Sequence, residues 1–106
     1  MRIVMGLLVV GLLATPAMGK DALCRTTDDG EYPCMFTSLD EAGSFEISAA
    51  GKPTFAVWVD SPGVASVSAT FEEGGRAVAL PGSYLRSDED GACWTSDATE
   101  TEICAW

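Results

Sequence analysis

The strongest structural pattern in the sequence runs from Pro53 to Phe71 and predicts a β-hairpin. In its second half, apolar residues at the odd positions of Ala65–Phe71 alternate with hydroxyl residues at the even positions. This period of two is typical of a strand with one buried face and one solvated face. The first half, Phe55–Val59, is apolar on both faces, which is typical of a strand with neighbours on both edges. We therefore expect this hairpin, turning at Ser61-Pro62-Gly63, in the middle of a sheet.

Turn sequences recur about every ten residues along the rest of the chain, and no stretch has helical periodicity. The segments between them predict five further strands, which are Glu31–Thr37, Ser44–Ser48, Arg76–Leu80, Ser83–Ser87 and Ala92–Thr95. Pro33 cannot donate a ladder hydrogen bond, so it favours an edge position for the first of these strands. The sequence predicts an all-β fold, a small antiparallel sandwich or barrel stapled by two disulfides.

Those disulfides are predicted from the four cysteines, which are Cys24, Cys34, Cys93 and Cys104. An even number of cysteines in an exported chain indicates disulfides. The first two flank a turn sequence centred on Asp29, and the last two flank Ser96–Glu100. This symmetry favours the pairs 24–34 and 93–104 among the three possible connectivities. Zinc is disfavoured because the chain has no histidine and no closely spaced cysteine pair.

The N-terminal residues 1–19 predict a secretory signal peptide. Arg2 precedes the apolar run Ile3–Ala14, and the small residues Ala17 and Gly19 fit a cleavage site. The run is shorter than the roughly 20 apolar residues that span a bilayer. Residues 20–106 are then a single exported β domain, periplasmic or secreted, with no membrane insertion after cleavage.

The acidic composition narrows the choice of partner. The chain carries a formal net charge of −10, with 16 acidic and 6 basic residues. Such a charge opposes nucleic acid and anionic lipid, and it favours a cationic protein as partner. The alternative is that acidity only keeps the protein soluble. The acid-rich turns Asp28–Glu31 and Asp88–Gly91 leave calcium open, although Asp and Gly suit turns for backbone reasons alone. No cofactor is predicted.

Catalytic patterns are weak throughout the sequence. The chain lacks histidine, and no serine, cysteine or lysine stands beside an evident activating residue. Pairs of carboxylates occur by chance at this acid content, and most such groups are solvated. We therefore expect a protein that is not an enzyme.

Four residues are candidate binding residues, namely Trp58, Tyr84, Arg86 and Trp106. Trp58 lies opposite the Phe55/Val57/Val59 face, so it is either an exposed contact or covered by a loop. Tyr84 and Arg86 share one face of a short strand and are residue types enriched at interface hot spots, unless their stems pack on the barrel. The similar segments Ala92-Cys93-Trp94 and Cys104-Ala105-Trp106 predict the two arms of a last hairpin. Trp106 lies on its disulfide face, as a lid over the sulfur atoms or as an exposed contact.

These features indicate a small acidic, exported, non-catalytic protein, a binding or inhibitory module of the cell envelope. The alternative is a structural or envelope-maintenance protein without a discrete site. In size, predicted export, acidity and cysteine-bearing ends the chain resembles small periplasmic inhibitors of c-type lysozyme. That resemblance implies an acidic barrel acting on a basic hydrolase. The family's Ser-Gly-x-x-Tyr-like loop is not matched by Pro81-Gly82-Ser83-Tyr84, so no residue role is transferred.

Overall fold

Strands follow one another along residues 19–106, the part of the chain that the computed structural model describes. They are β1 (Lys20–Thr26), β2 (Gly30–Ser38), β3 (Phe45–Ser48), β4 (Thr54–Ser61), β5 (Val64–Thr70), β6 (Val78–Ala79), β7 (Tyr84–Arg86), β8 (Cys93–Ser96) and β9 (Glu102–Ala105). The predicted signal peptide, apart from Gly19, lies outside the described residues.

The strands form a closed antiparallel barrel. The sheet runs in the order β4-β3-β2-β1-β9-β8-β7-β5, and pairing of β4 with β5 closes it as an eight-stranded barrel. The short strand β6 adds to the free part of the β5 edge. The all-β prediction is confirmed, and of its two forms the barrel is the one observed. Within residues 19–106, no helix is long and apolar enough to cross a membrane.

The Pro53–Phe71 hairpin is confirmed as β4 and β5. Strand β4 has β3 on one edge and β5 on the other, as its two apolar faces predict. Phe55 and Val57 point into the barrel, and so do the three odd-numbered residues Ala65, Val67 and Ala69. Tyr32, Phe45, Ile47, Tyr84, Trp94 and Ile103 complete most of this core.

Strand β2 is an edge strand over only half of its length. It pairs with β1 throughout, but with β3 only from Met35 to Ser38. The backbone of Leu23 exchanges hydrogen bonds with Trp106, so the Leu23–Pro33 pair exchanges none. The backbone of Pro33 therefore faces the side that β3 does not reach. The predicted edge position is right for this segment and wrong for the whole strand.

The predicted return strand Arg76–Leu80 is shorter than expected. Only Val78 and Ala79 pair with β5, at Ala69 and Ser68. The start of the same β5 edge is occupied by β7, which leaves little edge for β6 to extend along.

Both predicted disulfides are present, and they lie on opposite faces of the barrel wall. Cys93 and Cys104 stand directly opposite each other, with their Cα atoms 4.0 Å apart. Cys24 and Cys34 are diagonal neighbours with Cα atoms 5.8 Å apart, because Cys24 faces Tyr32. The first hairpin is thus centred on residue 28, one position before the predicted centre. The 24–34 bridge belongs to the core, whereas the 93–104 bridge lies on the outer face.

Candidate functional site

Trp106 is exposed but held in place. Its side chain is 45% exposed. Its backbone exchanges hydrogen bonds of 2.8 and 3.2 Å with Leu23, and its indole Nε1 donates to Asp90 Oδ2 at 3.0 Å. The guanidinium of Arg25 lies 5.3 Å from the ring centroid. Trp106 therefore presents a preorganised aromatic surface to solvent.

Arg25 covers the outer disulfide beneath this ring. Its Nη2 atom lies 3.1 Å from Glu102 Oε1 and 3.5 Å from Cys104 Sγ. The two alternatives for Trp106 are thus combined, since the ring stacks on the guanidinium above the sulfur atoms and keeps an exposed face. The trio Cys93, Glu102 and Cys104 also brings three potential metal ligands together. The two sulfur atoms are joined in a disulfide, however, so they offer no thiolate to a metal ion.

An apolar surface continues from Trp106 across three strands. Leu23 is 42% exposed beside Trp106, Pro33 pairs with Leu23 on β2, and Met35 follows two residues later with 41% exposure. All four side chains point outward, in agreement with the pleat of β1, β2 and β9. We call Leu23, Pro33, Met35 and Trp106 the Trp106 face.

Carboxylates surround the Trp106 face. Asp21 pairs with Met35, Glu31 pairs with Arg25, and Asp90 binds the indole of Trp106. The pKa of Asp90 is lowered by the hydrogen bond from the Ala92 backbone N–H, then by the Trp106 indole and by the charge of Arg25. Three carboxylates thus border the face, and the guanidinium on it, that of Arg25, is paired with Glu102.

A groove begins where the Trp106 face ends. It is lined by Pro33 and Met35 on one side, by the loop Ala49–Lys52 and by the segment Phe71–Gly74, and it encloses about 1040 Å³. Asp21 also lines it, and Phe71 is 58% exposed. We call this the Pro33 groove.

A second, smaller pocket of about 490 Å³ lies at a mouth of the barrel. Val59, Trp94 and the turn Ser61–Gly63 line it, together with Arg86. The Arg86 guanidinium stacks 5.1 Å from the Trp94 ring centroid, and its Nε donates to the Gly91 carbonyl at 2.8 Å. Arg86 is therefore packed on the barrel with its tip exposed, which is the second of its two predicted alternatives.

The prediction that Tyr84 is an exposed contact residue is wrong. It is 1% exposed inside the barrel. Strand β7 is flanked by β5 and β8, and Tyr84 pairs with the buried residues Ala65 and Ser96, so its side chain faces the core with theirs. Burial raises the pKa of its phenol. Tyr84 and Arg86 do share a face, but that face is the inner one.

Trp58 is exposed, as one of its two alternatives predicts. It stands on the outer wall opposite Ser66 and is 45% exposed. Its exposure equals that of Trp106, but it lies on β4, away from the strands β1, β2 and β9 that build the Trp106 face. The structure does not bring the two exposed tryptophans together.

Tyr32 is a buried residue with an unsatisfied polar atom. Its hydroxyl has no hydrogen-bond partner among residues 19–106. The Lys52 ammonium lies 5.3 Å from its ring centroid and 3.7 Å from Asp29 Oδ1. Burial, and secondly the charge of Asp29, raise the pKa of the Tyr32 phenol. Tyr32 thus remains a neutral phenol at physiological pH.

The sequence did not identify Leu23, Arg25 and Met35 as members of the site. The alternation of Asp21, Leu23 and Arg25 with Ala22, Cys24 and Thr26 would have placed β1 in the wall with Leu23 outside. Their adjacency to Trp106 depends on the long-range pairing of β1 with β9, which no local pattern shows.

Comparison with protein-family models, characterised proteins and solved structures finds no match to this chain. The resemblance to lysozyme inhibitors therefore depends on size, predicted export, acidity and cysteine placement alone.

Proposed function

We propose that the protein is a non-catalytic binding module that recognises a basic protein through the Trp106 face. The observation that carries the proposal is Trp106 itself, exposed yet fixed by Leu23, Asp90 and Arg25. Tryptophan is among the residue types most enriched at binding hot spots. A fixed side chain also loses little conformational freedom on binding, which favours affinity.

Charge favours a basic partner over a second copy of the chain. The net charge of −10 makes two copies repel each other, whereas it steers a cationic protein towards the barrel. The carboxylates of Asp21, Glu31 and Asp90 surround the apolar centre, which is the usual arrangement of an interface with an apolar core and a polar rim.

Two carboxylates have a shifted pKa, and neither is shifted in the direction that acid catalysis needs. A general acid needs a raised pKa, but hydrogen bonds lower the pKa of Asp40, chiefly from the Ser44 backbone. The hydrogen bonds that Asp90 accepts also lower the pKa of its carboxyl group. Asp40 binds the backbone of its own turn and Asp90 binds the Trp106 indole, so both carboxylates have a local structural partner.

The proposal places the protein in the periplasm or outside the cell. Two disulfides suit such an oxidising compartment. The chain then acts as a binding or inhibitory protein of the cell envelope, and a basic hydrolase such as a c-type lysozyme is one partner of suitable charge. A structural protein without a binding site has no need of an exposed tryptophan that three neighbours hold in place.

The test is affinity capture from an envelope extract of the source cells at physiological ionic strength. Three baits are compared, the mature wild type, Trp106→Ala and Trp58→Ala. We expect wild type and Trp58→Ala to retain the same basic protein and Trp106→Ala to lose it. The retained protein is identified by mass, purified and titrated against each bait, with a c-type lysozyme as a defined basic probe.

Trp58→Ala is the matched control because Trp58 has the same exposure on a different part of the wall. In the titration, Trp106→Ala should weaken binding by at least about tenfold, as expected of a hot spot. Equal losses for the two variants, or retention of acidic proteins only, would overturn the proposal.

A further inference from the structure

We infer that the Pro33 groove takes an extended, basic segment of the partner protein, with arginine or lysine side chains lying along it. This inference rests on the proposed function and names the part of the partner that the protein reads. The groove adjoins the Trp106 face, since Pro33 and Met35 belong to both surfaces. One partner can therefore contact the two surfaces at once.

At Pro33, the open edge of β2 offers the groove a backbone hydrogen-bond acceptor but no backbone donor. The backbone of Pro33 faces the groove side because Leu23, its cross-strand neighbour, bonds to Trp106 instead. Pairing of β2 with β3 begins only at Met35 and Ser48. Proline has a carbonyl but no N–H, so at Pro33 the edge accepts a hydrogen bond and donates none. Such an edge suits donor-rich side chains, and it limits addition of a complete β-strand.

The charged residues that line the groove favour binding of a cationic group. Asp21, Glu72 and Glu73 line it as carboxylates. The one basic residue in the lining, Lys52, already lies 3.7 Å from Asp29 and stacks on Tyr32. Its charge is therefore largely offset, and the remaining potential of the groove is negative.

Apolar surface between these carboxylates fits the stems of long basic side chains. Met35, Ala49 and Phe71 line the groove together with the acids, and Phe71 is the most exposed of the large apolar side chains in residues 19–106. Arginine and lysine bury their methylene groups against such surfaces and keep the charge at the rim. A volume of about 1040 Å³ accommodates several such side chains of an extended segment.

The experiment uses the mature disulfide-bonded protein and a defined probe, a short capped peptide of alternating arginine and leucine. Binding is followed by amide chemical shifts in two-dimensional NMR, and a peptide of alternating glutamate and leucine is the control. We expect the basic peptide to shift amides of Asp21, Met35, Ala49–Lys52 and Phe71–Gly74. The acidic peptide should shift none of them.

A triple variant tests the carboxylates directly. Asp21→Asn/Glu72→Gln/Glu73→Gln should weaken binding of the basic peptide by at least about tenfold. The control Glu41→Gln/Asp60→Asn/Glu100→Gln removes the same charge from exposed positions that do not line the groove, and it should weaken binding less than about threefold. All of these side chains are exposed, so both variants are expected to fold.

Shifts spread evenly over every acidic turn, or equal losses for the two triple variants, would overturn the groove assignment. That failure is distinguishable from failure of the proposed function. If the captured basic protein binds the groove variant as tightly as wild type and still requires Trp106, the function stands and the groove does not. If the peptide binds the groove but no basic protein is retained, the groove stands and the function does not.

Discussion

At the scale of single residues, the two tryptophans of the C-terminal hairpin have opposite roles. Trp94 is 2% exposed and packs beside Ile103 in the core, whereas Trp106 is 45% exposed on the outer wall. We expect Trp94→Ala to lower the free energy of unfolding by about 3–5 kcal/mol through loss of a buried aromatic. Trp106→Ala should cost less than about 1.5 kcal/mol, because it removes surface contacts only. Chemical denaturation of both variants measures the difference. A larger loss for Trp106→Ala would mean that Trp106 is a structural residue.

Tyr32 offers a test of the unsatisfied hydroxyl. Because that hydroxyl is buried without a partner, we expect Tyr32→Phe to keep the free energy of unfolding or raise it by up to about 1 kcal/mol at neutral pH. Tyr32→Ala, which removes the ring, should instead cost about 3 kcal/mol or more. Denaturation at neutral pH compares the two. A clear loss for Tyr32→Phe would show that the hydroxyl has a partner.

The same residue predicts a pH dependence. The pKa of the Tyr32 phenol is raised in the folded state by burial and by Asp29, so the unfolded chain loses this proton first. Stability is then complete below the unfolded pKa of about 10 and falls as the pH rises above it. Tyr84, whose pKa burial also raises, contributes in the same direction. Thermal melting from neutral to alkaline pH should show this fall, and Tyr32→Phe should reduce it. An equal fall in the variant would exclude Tyr32 as a source.

At the scale of elements, the pleat of β5 is the feature to test. Val67 is 3% exposed inside the barrel, whereas Ser68 points outward between Ala56 and Ala79. Val67→Asp places an unpaired charge in the core and should cost several kcal/mol. Ser68→Asp should change stability by less than about 1 kcal/mol. Equal losses in melting temperature for the two variants would contradict the observed pleat.

The elements that the sequence predicts correctly depend on local patterns. Alternation in Ala65–Ala69 gives the hairpin and its faces, and the symmetry of turns gives both disulfide pairs. The prediction that Phe71 lies on the same buried face is wrong, because β5 ends at Thr70 and the Phe71 side chain is 58% exposed. The first pair shows the limit of that symmetry, because the turn centre is displaced by one residue and Cys24 faces Tyr32 instead of Cys34. The disulfide still forms, since diagonal neighbours lie within its reach.

The elements that the sequence misjudges depend on long-range pairing. Tyr84 and Arg86 share a face in any short strand, but only the insertion of β7 between β5 and β8 decides that this face is inside. Pro33 likewise predicts an edge, and the short length of β3 decides how much of β2 is open. For the candidate site, the sequence identified Trp106. Its neighbour Leu23 could be recognised only from the pairing of β1 with β9, which the structure shows.

At the scale of the whole molecule, a closed barrel carries its candidate site on the outer wall. Because β3 is short, the β2 segment at Pro33 stays an open backbone edge beside an exposed apolar surface. The outer disulfide, Arg25 and Asp90 hold Trp106 on that wall, and the net charge of −10 extends the influence of the site into solvent. Steering by this charge acts on the association rate, whereas contacts at Trp106 act mainly on dissociation.

The most direct measurement is therefore the binding kinetics of the captured basic protein at low and physiological ionic strength, with wild type and Trp106→Ala. We expect the association rate constant to fall as salt increases, because screening weakens steering. Trp106→Ala should keep the same salt dependence but dissociate at least about tenfold faster. An association rate that does not change with salt, together with a dissociation rate unchanged by Trp106→Ala, would contradict recognition of a basic protein through the Trp106 face.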